Sequence, residues 1–479
     1  MRKLINLLIC FAFATPAFAA NEIKVTVTDG TRKLAEQPAI SWATGEGTMR
    51  ADMVLSMDPT QKYQTVLGFG GAFTDAACFV FNGMQSDARS KLFDNLFGRE
   101  QLDLTVNRIP MGASDYATHA YSYDDSSEPD PDLKKFNIDH DRKYILPMLK
   151  QALGVNNRMY FFASPWSPPG WMKSNGTMLG GNMQRKYMPS YGEYFRKFIE
   201  AYRDAKVPIS AVTVQNEVDT DQDSRMPACI WPQEYEVDFV RTNLGPTLRK
   251  AKLDTDVWII DHNYNLWGRA LASLEEHDIK DFVHGIAWHG YVGDVAKLDE
   301  VHAKNPTVQM HWTEGGPDYT DPEYQTDWTK WSSTFSEILH HWCTSITVWN
   351  LALDEQGKPN IGPFSCGGLV TVNSKTGEVA YSGQYYALAQ LSKFVQPGAV
   401  RIASTGAVAP ELNENATNEV PPANYVKHVA FQNPDGTTTV VLTNPTSLDI
   451  RAVVVMNERG APVSLPPDSI TTLVMKGAE

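Results

Sequence analysis

Short apolar runs alternate with longer amphipathic stretches over residues 63–394 of the chain. Eight runs have the length of buried strands, at residues 66–72, 104–111, 158–163, 209–215, 256–260, 283–288, 307–313 and 345–351. Helical patterns lie between them; the pattern at 190–205 has an apolar face formed by Tyr194, Phe195, Phe198, Ile199 and Tyr202. Eight strands, each followed by a helix, predict an α/β fold of the (β/α)8 TIM-barrel type. A doubly wound open sheet is the alternative, because periodicity does not reveal closure.

The two ends of the chain have a different pattern, in which β-branched and polar residues alternate as in half-buried strands. Strands are predicted at 22–28, 52–57, 425–432, 437–443 and 448–456. Asn433-Pro434-Asp435-Gly436 is a hairpin signal between two of them. So few strands would leave exposed edges if they stood alone. We therefore expect one appended all-β sandwich, built from residues 21–62 and 395–479 and packed on the barrel at 63–394.

The first 20 residues resemble a secretory signal peptide. Arg2 and Lys3 precede an apolar stretch that ends in the small-x-small string Ala17-Phe18-Ala19. The stretch is too short and wrongly flanked for a membrane anchor, and no other stretch is apolar over enough residues to span a bilayer. We therefore expect a protein exported to the periplasm or the extracellular space.

Charge and aromatic content narrow the class of partner. The formal net charge is −14, whereas a nucleic-acid partner requires a basic surface, so this partner is not expected. Eleven of the 12 tryptophans fall between Trp166 and Trp349. Tryptophan faces beside hydrogen-bonding groups suit a sugar ring, although most barrel tryptophans are core residues. We expect sugar contacts from the tryptophans at or near strand ends: Trp166, Trp171, Trp288, Trp312 and Trp349.

Two glutamates lie at the ends of predicted strands. Glu217 closes AVTVQNE on the fourth strand, and Glu314 closes QMHWTE on the seventh. The carboxyl ends of barrel strands form the face on which active sites assemble, so the two side chains are expected to meet there. Glycosidic cleavage needs such a pair, one carboxyl group to protonate the leaving oxygen and one to attack the anomeric carbon or activate water. The alternative for either residue is an ion pair with an arginine or a helix cap.

Motifs for other chemistries are missing from the sequence. GFGGAFTD, at 68–75, lacks the third glycine of a dinucleotide-binding loop and the lysine of a P-loop. Asp75, its last residue, is expected to be either a sugar ligand or the N-cap of a helix. No H-E-x-x-H or G-x-S-x-G string occurs, so no metal, cofactor or serine nucleophile is expected. No C-x-x-C pair occurs either, and we expect free buried thiols at Cys78, Cys229, Cys343 and Cys366.

Seven strings, spread in order over the predicted barrel, resemble glycoside hydrolase family 30, and its glucosylceramidase-like and β-1,6-glucanase branches most. The strings are GFGGAFTDAA (68–77), NRIPMGASDY (107–116), ASPWSPPGWMKSNG (163–176), AVTVQNE (211–217), VHGIAWHGY (283–291), HWTEGG (311–316) and WNLALDEQGKPN (349–360). The resemblance implies a barrel with an attached β-sandwich. It also implies hydrolysis of β-glycosides with retention, through a covalent glycosyl-enzyme and without a cofactor.

The same strings imply roles for individual residues. Glu217 resembles the general acid/base and Glu314 the nucleophile. The sugar in the −1 subsite, on the non-reducing side of the scissile bond, would be held by Asp75, Trp166, Asn216, His289, Tyr291, Trp349 and Asn350. The surroundings of Glu217 are expected to keep it protonated until it donates its proton to the leaving oxygen.

Two loops at the rim depart from the lipid-cleaving members. Val218-Asp219 follows Glu217 where those members have a proline, and His289-Gly290-Tyr291 stands for their His-Trp-Tyr string. These changes lie in loops that would contact the leaving group, so they affect which leaving group is accepted. Together with the predicted signal peptide, they favour a β-glucan or another β-glucoside over a ceramide glycoside as the substrate. Three alternatives remain open: a retaining β-glycosidase specific for fucose, galactose or xylose, a catalytically silent carbohydrate-binding protein, and a metal-dependent hydrolase. The sequence does not predict the oligomeric state.

Overall fold

The computed structural model of the 479-residue chain describes residues 21–43, 51–408 and 426–476. The predicted signal peptide, at 1–20, lies outside these residues, so export stays a prediction. Within the described ranges, none of the helices combines the length and the apolar character that crossing a membrane requires.

Twenty strands are formed by the described residues, and they are numbered in chain order. They are β1 (Glu22–Thr28), β2 (Ala35–Ser41), β3 (Met53–Thr65), β4 (Gly68–Gly71), β5 (Val106–Pro110), β6 (Tyr160–Ser164), β7 (Ala211–Thr213), β8 (Asp256–Asn263), β9 (Val283–His289), β10 (Gln309–Glu314), β11 (Cys343–Val348), β12 (Ala352–Leu353), β13 (Val370–Val372), β14 (Val379–Tyr381), β15 (Val400–Val408), β16 (Lys427–Gln432), β17 (Thr437–Asn444), β18 (Ile450–Met456), β19 (Arg459–Leu465) and β20 (Ser469–Lys476).

Ten α-helices accompany these strands in the described part of the chain. They are α1 (Asp75–Gly83), α2 (Ser86–Phe97), α3 (Asp139–Val155), α4 (Met188–Asp204), α5 (Gln233–Phe239), α6 (Gly245–Ala251), α7 (Trp267–Glu275), α8 (Leu298–Lys304), α9 (Trp328–His340) and α10 (Gly383–Ser392). Each strand from β4 to β11 is followed by at least one helix before the next barrel strand or the sandwich begins. The predicted helix at 190–205 corresponds to α4, whose buried face carries the predicted apolar residues.

Strands β4 to β11 form a parallel sheet in which β5 to β11 pair in sequence order and β4 pairs with β11. The first and second strands close this sheet into a barrel. The amide of Phe73 donates to the carbonyl of Arg108 at 2.8 Å, and the amide of Thr105 donates to the carbonyl of Phe69 at 2.7 Å. This closure confirms the (β/α)8 barrel and excludes the open sheet.

Glycine is required at one point of the closure. A Cβ on Gly70 would lie 1.8 Å from the carbonyl oxygen of Val106 on β5, a distance at which backbone has to move. The same Cβ would lie 3.0 Å from the Asn107 side chain. The string GFGGAF therefore serves a close approach of β4 to β5 rather than a phosphate.

Replacing Gly70 by alanine is expected to destabilise the barrel by about 1–3 kcal/mol, as overpacking of a dense core does. Gly154 is the matched control, since it lies in α3 and a Cβ there would meet nothing within 4 Å. Gly154→Ala is expected to be neutral or to add up to about 1 kcal/mol, because alanine is the better helix former. Urea unfolding followed by circular dichroism measures both; equal midpoints for the two variants would contradict the closure argument.

The remaining long strands form one nine-stranded sheet, in the order β19-β18-β3-β15-β16-β17-β20-β1-β2. Its two edge strands approach each other, and the amide of Ala43, just after β2, donates to the carbonyl of Gly460 on β19 at 2.7 Å. The sheet thus folds over on itself as a β-sandwich around its own apolar core, which includes Ile23, Leu55 and Leu473. Both ends of the chain contribute to it, because β1 to β3 and β15 to β20 are its members.

Helices α9 and α10 connect the barrel to the sandwich through buried polar contacts. The side-chain amide of Gln390 on α10 donates to Thr28 Oγ1 at 2.9 Å, and Thr472 Oγ1 donates to Gln390 Oε1 at 2.6 Å. The hydroxyls of Ser332 on α9 and Thr443 on β17 lie 2.6 Å apart. These contacts hold the sandwich against the helical layer of the barrel.

Several strands differ from their predicted extent. The fourth barrel strand is shorter than predicted, and the fifth continues to Asn263, three residues beyond the predicted end at 260. β3 also extends to Thr65, far past the predicted 52–57. Seven strands were not predicted, namely β2, β12, β13, β14, β15, β19 and β20. The extension of β8 matters most, because it carries three further side chains, Asp261, His262 and Asn263, to the carboxyl end of the barrel.

Candidate active site

A cavity of about 440 Å³ opens at the carboxyl ends of the barrel strands. Its walls are formed by Asp115, Trp166, Asn216, Glu217, Thr220, Gln222, Met226, His262, Asn263, Tyr291, Val292, Glu314, Trp349, Phe364 and Cys366. Six of the nine predicted site residues are therefore brought together: Trp166, Asn216, Glu217, Tyr291, Glu314 and Trp349. Of the other three, His289 is fully buried and contacts both glutamates, whereas Asp75 and Asn350 do not line the cavity.

The two glutamates reach the cavity by different local structures. Glu314 is the last residue of β10, so the strand itself directs its side chain. Glu217 lies four residues after the end of β7 and has a φ of 55°, in the left-handed region. Its amide donates to the carbonyl of Asp261 at 2.9 Å, which holds this conformation. A non-glycine residue in that region costs of order 1 kcal/mol, and such strain is concentrated at functional sites.

Both oxygens of Glu314 have donors. Arg108 Nη1 donates to Oε2 at 2.5 Å, and the Tyr291 hydroxyl donates to Oε1 at 3.2 Å. Arg108 is fully buried on β5, so its interaction with this carboxylate is poorly screened by solvent. The arrangement orients a carboxylate toward the cavity, as an attacking nucleophile requires.

Arg108 is the centre of a buried polar network beneath the cavity. Its Nη2 donates to Asp261 Oδ2 at 2.7 Å and to Asn216 Oδ1 at 2.8 Å, and its Nε donates to Ser164 Oγ at 3.1 Å. Burial alone lowers the pKa of Arg108, but Asp261 and Glu314 outweigh it, and the pKa is raised. The side chain is therefore a permanent cation that ties strands β5, β8 and β10 together.

Two imidazoles flank Glu217. Nδ1 of His289 and Nδ1 of His262 each lie 3.5 Å from Glu217 Oε1, while Gln222 Nε2 donates to Oε2 at 2.5 Å. The other ring nitrogen of His262 is 2.7 Å from Asp219 Oδ1. His289 also connects the two glutamates, because its Nε2 is 3.9 Å from Glu314 Oε2.

Glu217 was expected to be kept protonated by its surroundings, but the neighbouring charges favour its ionised form. Burial raises the pKa of Glu217, but His289 and His262 outweigh burial and hold the pKa below its ordinary value. Burial lowers the pKa of His289, yet Glu314, Asp261 and Glu217 together raise it to about 9. At neutral pH the surroundings therefore keep the proton on His289, 3.5 Å from Glu217 Oε1, rather than on Glu217 itself.

Trp166 and Trp349 form an aromatic wall of the cavity. Their ring centroids are 5.0 Å apart with an interplanar angle of 21°, and the Arg108 guanidinium lies 4.6 Å from the Trp166 centroid. The stack gives a flat apolar surface beside the two carboxylates, which suits the C–H face of a pyranose.

The other strand-end tryptophans do not reach the cavity. Trp288 and Trp312 are buried between the barrel strands and the surrounding helices. Successive residues of a strand point to opposite sides, and His289 takes the inward position after Trp288. Trp312 packs on Phe335 of α9, with centroids 5.9 Å apart. The Trp171 indole donates to the carbonyl of Asp124 at 3.1 Å. None of the three lines the cavity, so their expected sugar contacts are not supported by its lining and stay predictions.

Asp75 does not line the cavity, and its carboxylate has partners of its own. The amide of Thr118 donates to Asp75 Oδ2 at 2.6 Å, and His140 Nε2 lies 2.7 Å from Oδ1. It is not the N-cap of α1 either, because the Thr74 hydroxyl accepts from the amide of Ala77. Asn350, with a φ of 53°, accepts from Thr74 Oγ1 at 2.9 Å. The expected sugar contacts of Asp75 and Asn350 stay predictions, because neither residue lines the cavity.

Several polar residues of the site were not singled out from the sequence. Asp115 lines the cavity, and burial, with Glu314 and Glu217 nearby, raises its pKa well above the ordinary value, so it can donate to a sugar hydroxyl. Arg108 and Asp115 both lie in the family-like string NRIPMGASDY, which was the available signal. Asp261 and His262 lie in DHN beyond the predicted strand end and had no such signal.

The four described cysteines are free thiols. Cys78, Cys229 and Cys343 are buried, as expected, and burial raises the pKa of each. Cys366 is half-buried instead, since it forms part of the cavity wall.

Two models of known protein families together match most of the chain. The model of the glycosyl hydrolase family 30 TIM-barrel domain matches residues 66–395, and that of the glycosyl hydrolase family 30 beta sandwich domain matches residues 398–473. These ranges correspond to the closed barrel and to the later strands of the nine-stranded sheet.

Individual relatives span most of both chains. The endo-1,6-β-D-glucanase of Neurospora crassa is 32% identical over 411 residues, covering 82% of this chain and 84% of its own length. A Caenorhabditis elegans protein with the provisional name glucosylceramidase 4 is 31% identical over 445 residues, 88% of this chain and 83% of its own. The solved structure of the endo-β-1,6-glucanase BT3312 superposes with a TM-score of 0.84 at 27% identity, covering 95% of this chain and all of the other.

Proposed function

The chain belongs to glycosyl hydrolase family 30 and is a glycoside hydrolase, and from that premise we propose that it is a retaining endo-β-1,6-glucanase. The observation that carries the proposal is the pairing of Glu217 and Glu314 on one cavity. One carboxylate is oriented by Arg108 and Tyr291, and the other is flanked by two imidazoles. This division of roles is what a double displacement at an anomeric carbon uses.

In the first step, a Glu314 oxygen forms a bond to the anomeric carbon of the −1 glucose while the bond to the leaving oxygen breaks. Glu217 first takes the proton from His289 across the 3.5 Å contact and gives it to the leaving oxygen. Glu217 is then a carboxylate again and His289 is neutral. Loss of the Glu314 charge removes one of the groups that raise the pKa of His289. The proton is therefore released from the imidazole when the leaving group needs it.

In the second step, Glu217 as a carboxylate takes a proton from water, and the water oxygen attacks the anomeric carbon. The bond to Glu314 breaks, and the oligosaccharide that ends in the −1 glucose is released with the β configuration at its anomeric carbon. The Glu217–His289 pair then holds the proton again. Asn216 and the Trp166–Trp349 wall are proposed to orient the −1 sugar.

The choice of β-1,6-glucan rests on similarity and on the rim of the cavity. The Neurospora crassa relative and the BT3312 structure both carry that activity in their names. Tyr291, Val292 and Phe364 are each between 42% and 54% exposed, and they line the cavity. An exposed apolar rim supports stacking of further glucose units beyond the cleaved bond.

A substrate panel tests this proposal. The protein is incubated with β-1,6-glucan, β-1,3-glucan, glucosylceramide in detergent, and aryl β-glycosides of glucose, fucose, galactose and xylose. We expect a ladder of short oligosaccharides from β-1,6-glucan, and initial products in the β configuration by proton NMR. Activity confined to glucosylceramide or to another sugar would overturn the linkage assignment. Glycan binding without hydrolysis of any compound would favour a catalytically silent binding protein.

Replacing Glu217 by alanine is expected to lower kcat on β-1,6-glucan by about 10²–10⁴-fold, the range contributed by general acid–base catalysis. With a dinitrophenyl β-glucoside, the rate of glycosyl-enzyme formation should fall much less, because dinitrophenolate leaves without being protonated. Burst kinetics and restoration of turnover by azide measure the difference. Glu234→Ala is the matched control, since Glu234 is exposed at the start of α5. Equal losses on both substrates would contradict the acid/base role.

Export is also part of the proposal, and it is supported by the leader pattern at residues 1–20. Expression of the full chain in a bacterial host is expected to yield a periplasmic or extracellular protein that starts after Ala19 or Ala20. Mass spectrometry of the purified protein checks the cleavage point, and an intact N-terminus in the cytoplasm would contradict it.

A further inference from the structure

Each histidine beside Glu217 is held by a carboxylate at one ring nitrogen. His262 Nε2 is 2.7 Å from Asp219 Oδ1, and His289 Nε2 is 3.1 Å from Asp261 Oδ1. The other nitrogen, Nδ1, is buried in both rings and has no hydrogen-bond partner among the described residues. When the ring is neutral, a carboxylate that accepts from Nε2–H leaves the Nδ1 lone pair available. For His289 this requires that the proton on Nδ1 is released as a cation binds, as is usual for metal ligands. This carboxylate–histidine arrangement is typical of residues that ligate a metal.

The unpartnered nitrogens converge on one oxygen. Both Nδ1 atoms are 3.5 Å from Glu217 Oε1, and all three atoms lie within 4.8 Å of one another. Bonds of about 2.0–2.1 Å in a tetrahedral site separate neighbouring ligand atoms by roughly 3.4 Å. Two of the three separations already have this value, and rotation of an imidazole can shorten the third.

The local charge favours a cation as well. Glu217, Asp219, Asp261 and Glu314 carry four formal negative charges around the two imidazoles, against one positive charge on Arg108. With neutral imidazoles the cluster therefore has a formal charge of −3. One divalent cation reduces this charge as much as protonation of both rings does.

We propose that Glu217, His262 and His289 form an inhibitory site for one Zn²⁺ or Cu²⁺ ion. Two imidazole nitrogens and one carboxylate oxygen suit these ions, whereas Mg²⁺ and Ca²⁺ prefer an all-oxygen set. Glu217 and His262 line the cavity, so a fourth ligand position faces its open space. The three ligands come from the loop after β7, from β8 and from β9, which explains why no metal motif is present in the sequence.

Inhibition, unlike binding, rests on the proposed function. A cation bound to Glu217 Oε1 occupies the carboxyl oxygen of the proposed acid/base, so that this oxygen no longer carries a proton to the leaving group. It also stands where the leaving oxygen has to approach. The bound enzyme is therefore inactive, and a chelator that removes the ion restores activity.

Isothermal titration of the chelator-treated full chain with ZnCl₂ tests binding without any substrate. We expect one site per chain, with the affinity lowered at least about tenfold in His262→Gln and about 10–100-fold in Asp219→Asn, the range for loss of a carboxylate that supports a ligand. His277→Gln is the matched control, because His277 is an exposed imidazole beside Asp278, and its affinity should equal that of the wild type. Circular dichroism verifies the fold of each variant.

Turnover of an aryl β-glycoside then measures inhibition by ZnCl₂ and its reversal by EDTA. Absence of binding up to millimolar ZnCl₂, or equal affinity in wild type, His262→Gln and Asp219→Asn, overturns the site. Activity that requires the ion and is lost in EDTA overturns inhibition. Binding at this site in a protein that hydrolyses no glycoside contradicts the proposed function and leaves the cation site supported, so the two failures are distinguishable.

Discussion

Replacing Glu314 by glutamine is expected to lower kcat for β-glycoside hydrolysis by about 10⁴-fold or more, because an amide does not form the covalent glycosyl-enzyme. Such a loss corresponds to roughly 5.5 kcal/mol in activation free energy. The fold should persist, since the glutamine carbonyl can still accept from Arg108 Nη1. Initial rates on the preferred substrate of the panel, with circular dichroism of the purified variant, measure both effects.

The matched control for this variant is Glu323→Gln, which alters an exposed glutamate in the loop after β10. It should retain wild-type activity. A mechanism-based fluoro-glucoside should label Glu314 in the wild type, and peptide mass spectrometry should find no label in Glu314→Gln. Near-normal turnover by Glu314→Gln, or a label on another residue, would refute the assignment of the nucleophile.

Replacing Arg108 by methionine is expected to have the largest effect on stability. The guanidinium and Asp261 are fully buried, and Glu314 is nearly so, so removal of the cation leaves two carboxylates without their partner. Breaking a buried ion pair from one side typically costs about 3–5 kcal/mol. Activity should fall as well, because Glu314 loses a donor that orients it.

Urea unfolding compares Arg108→Met with the control Arg142→Met. Arg142 is 56% exposed and lies 3.6 Å from Asp139, a surface pair whose loss should change stability by no more than about 0.5 kcal/mol. A second substitution, Asp261→Asn, removes one of the unpaired charges and should recover part of the stability lost in Arg108→Met. Equal stability of the two single variants would mean that the buried network contributes little.

The barrel and the two glutamates could be predicted because their signals are local. The apolar runs have the length of strands wherever they fall, and Glu217 and Glu314 stand at the ends of two of them. The sequence also identified Trp166 and Trp349, which form the aromatic wall. It did not distinguish them from Trp288 and Trp312, because facing inward or outward depends on register within each strand.

Other features depend on residues far apart in the chain. Arg108, Asp261 and Glu314 meet only after the barrel has closed, so no spacing in the sequence shows that they form one network. Asp75 has a family-like context, yet its carboxylate contacts His140 and Thr118, from a later part of the chain, and it does not line the cavity.

By itself, the sequence determined the alternation of strands and helices, the split between barrel and sandwich strands, and two carboxyl groups suited to glycosidic cleavage. Each of these follows from side-chain type and spacing over a few residues. Only the tertiary structure decided that the barrel closes at Gly70, that His289 holds the proton beside Glu217, and that two imidazoles converge on one oxygen. These outcomes depend on distances between side chains and on the electrostatic interactions among buried charged groups. Both exist only once the strands lie side by side.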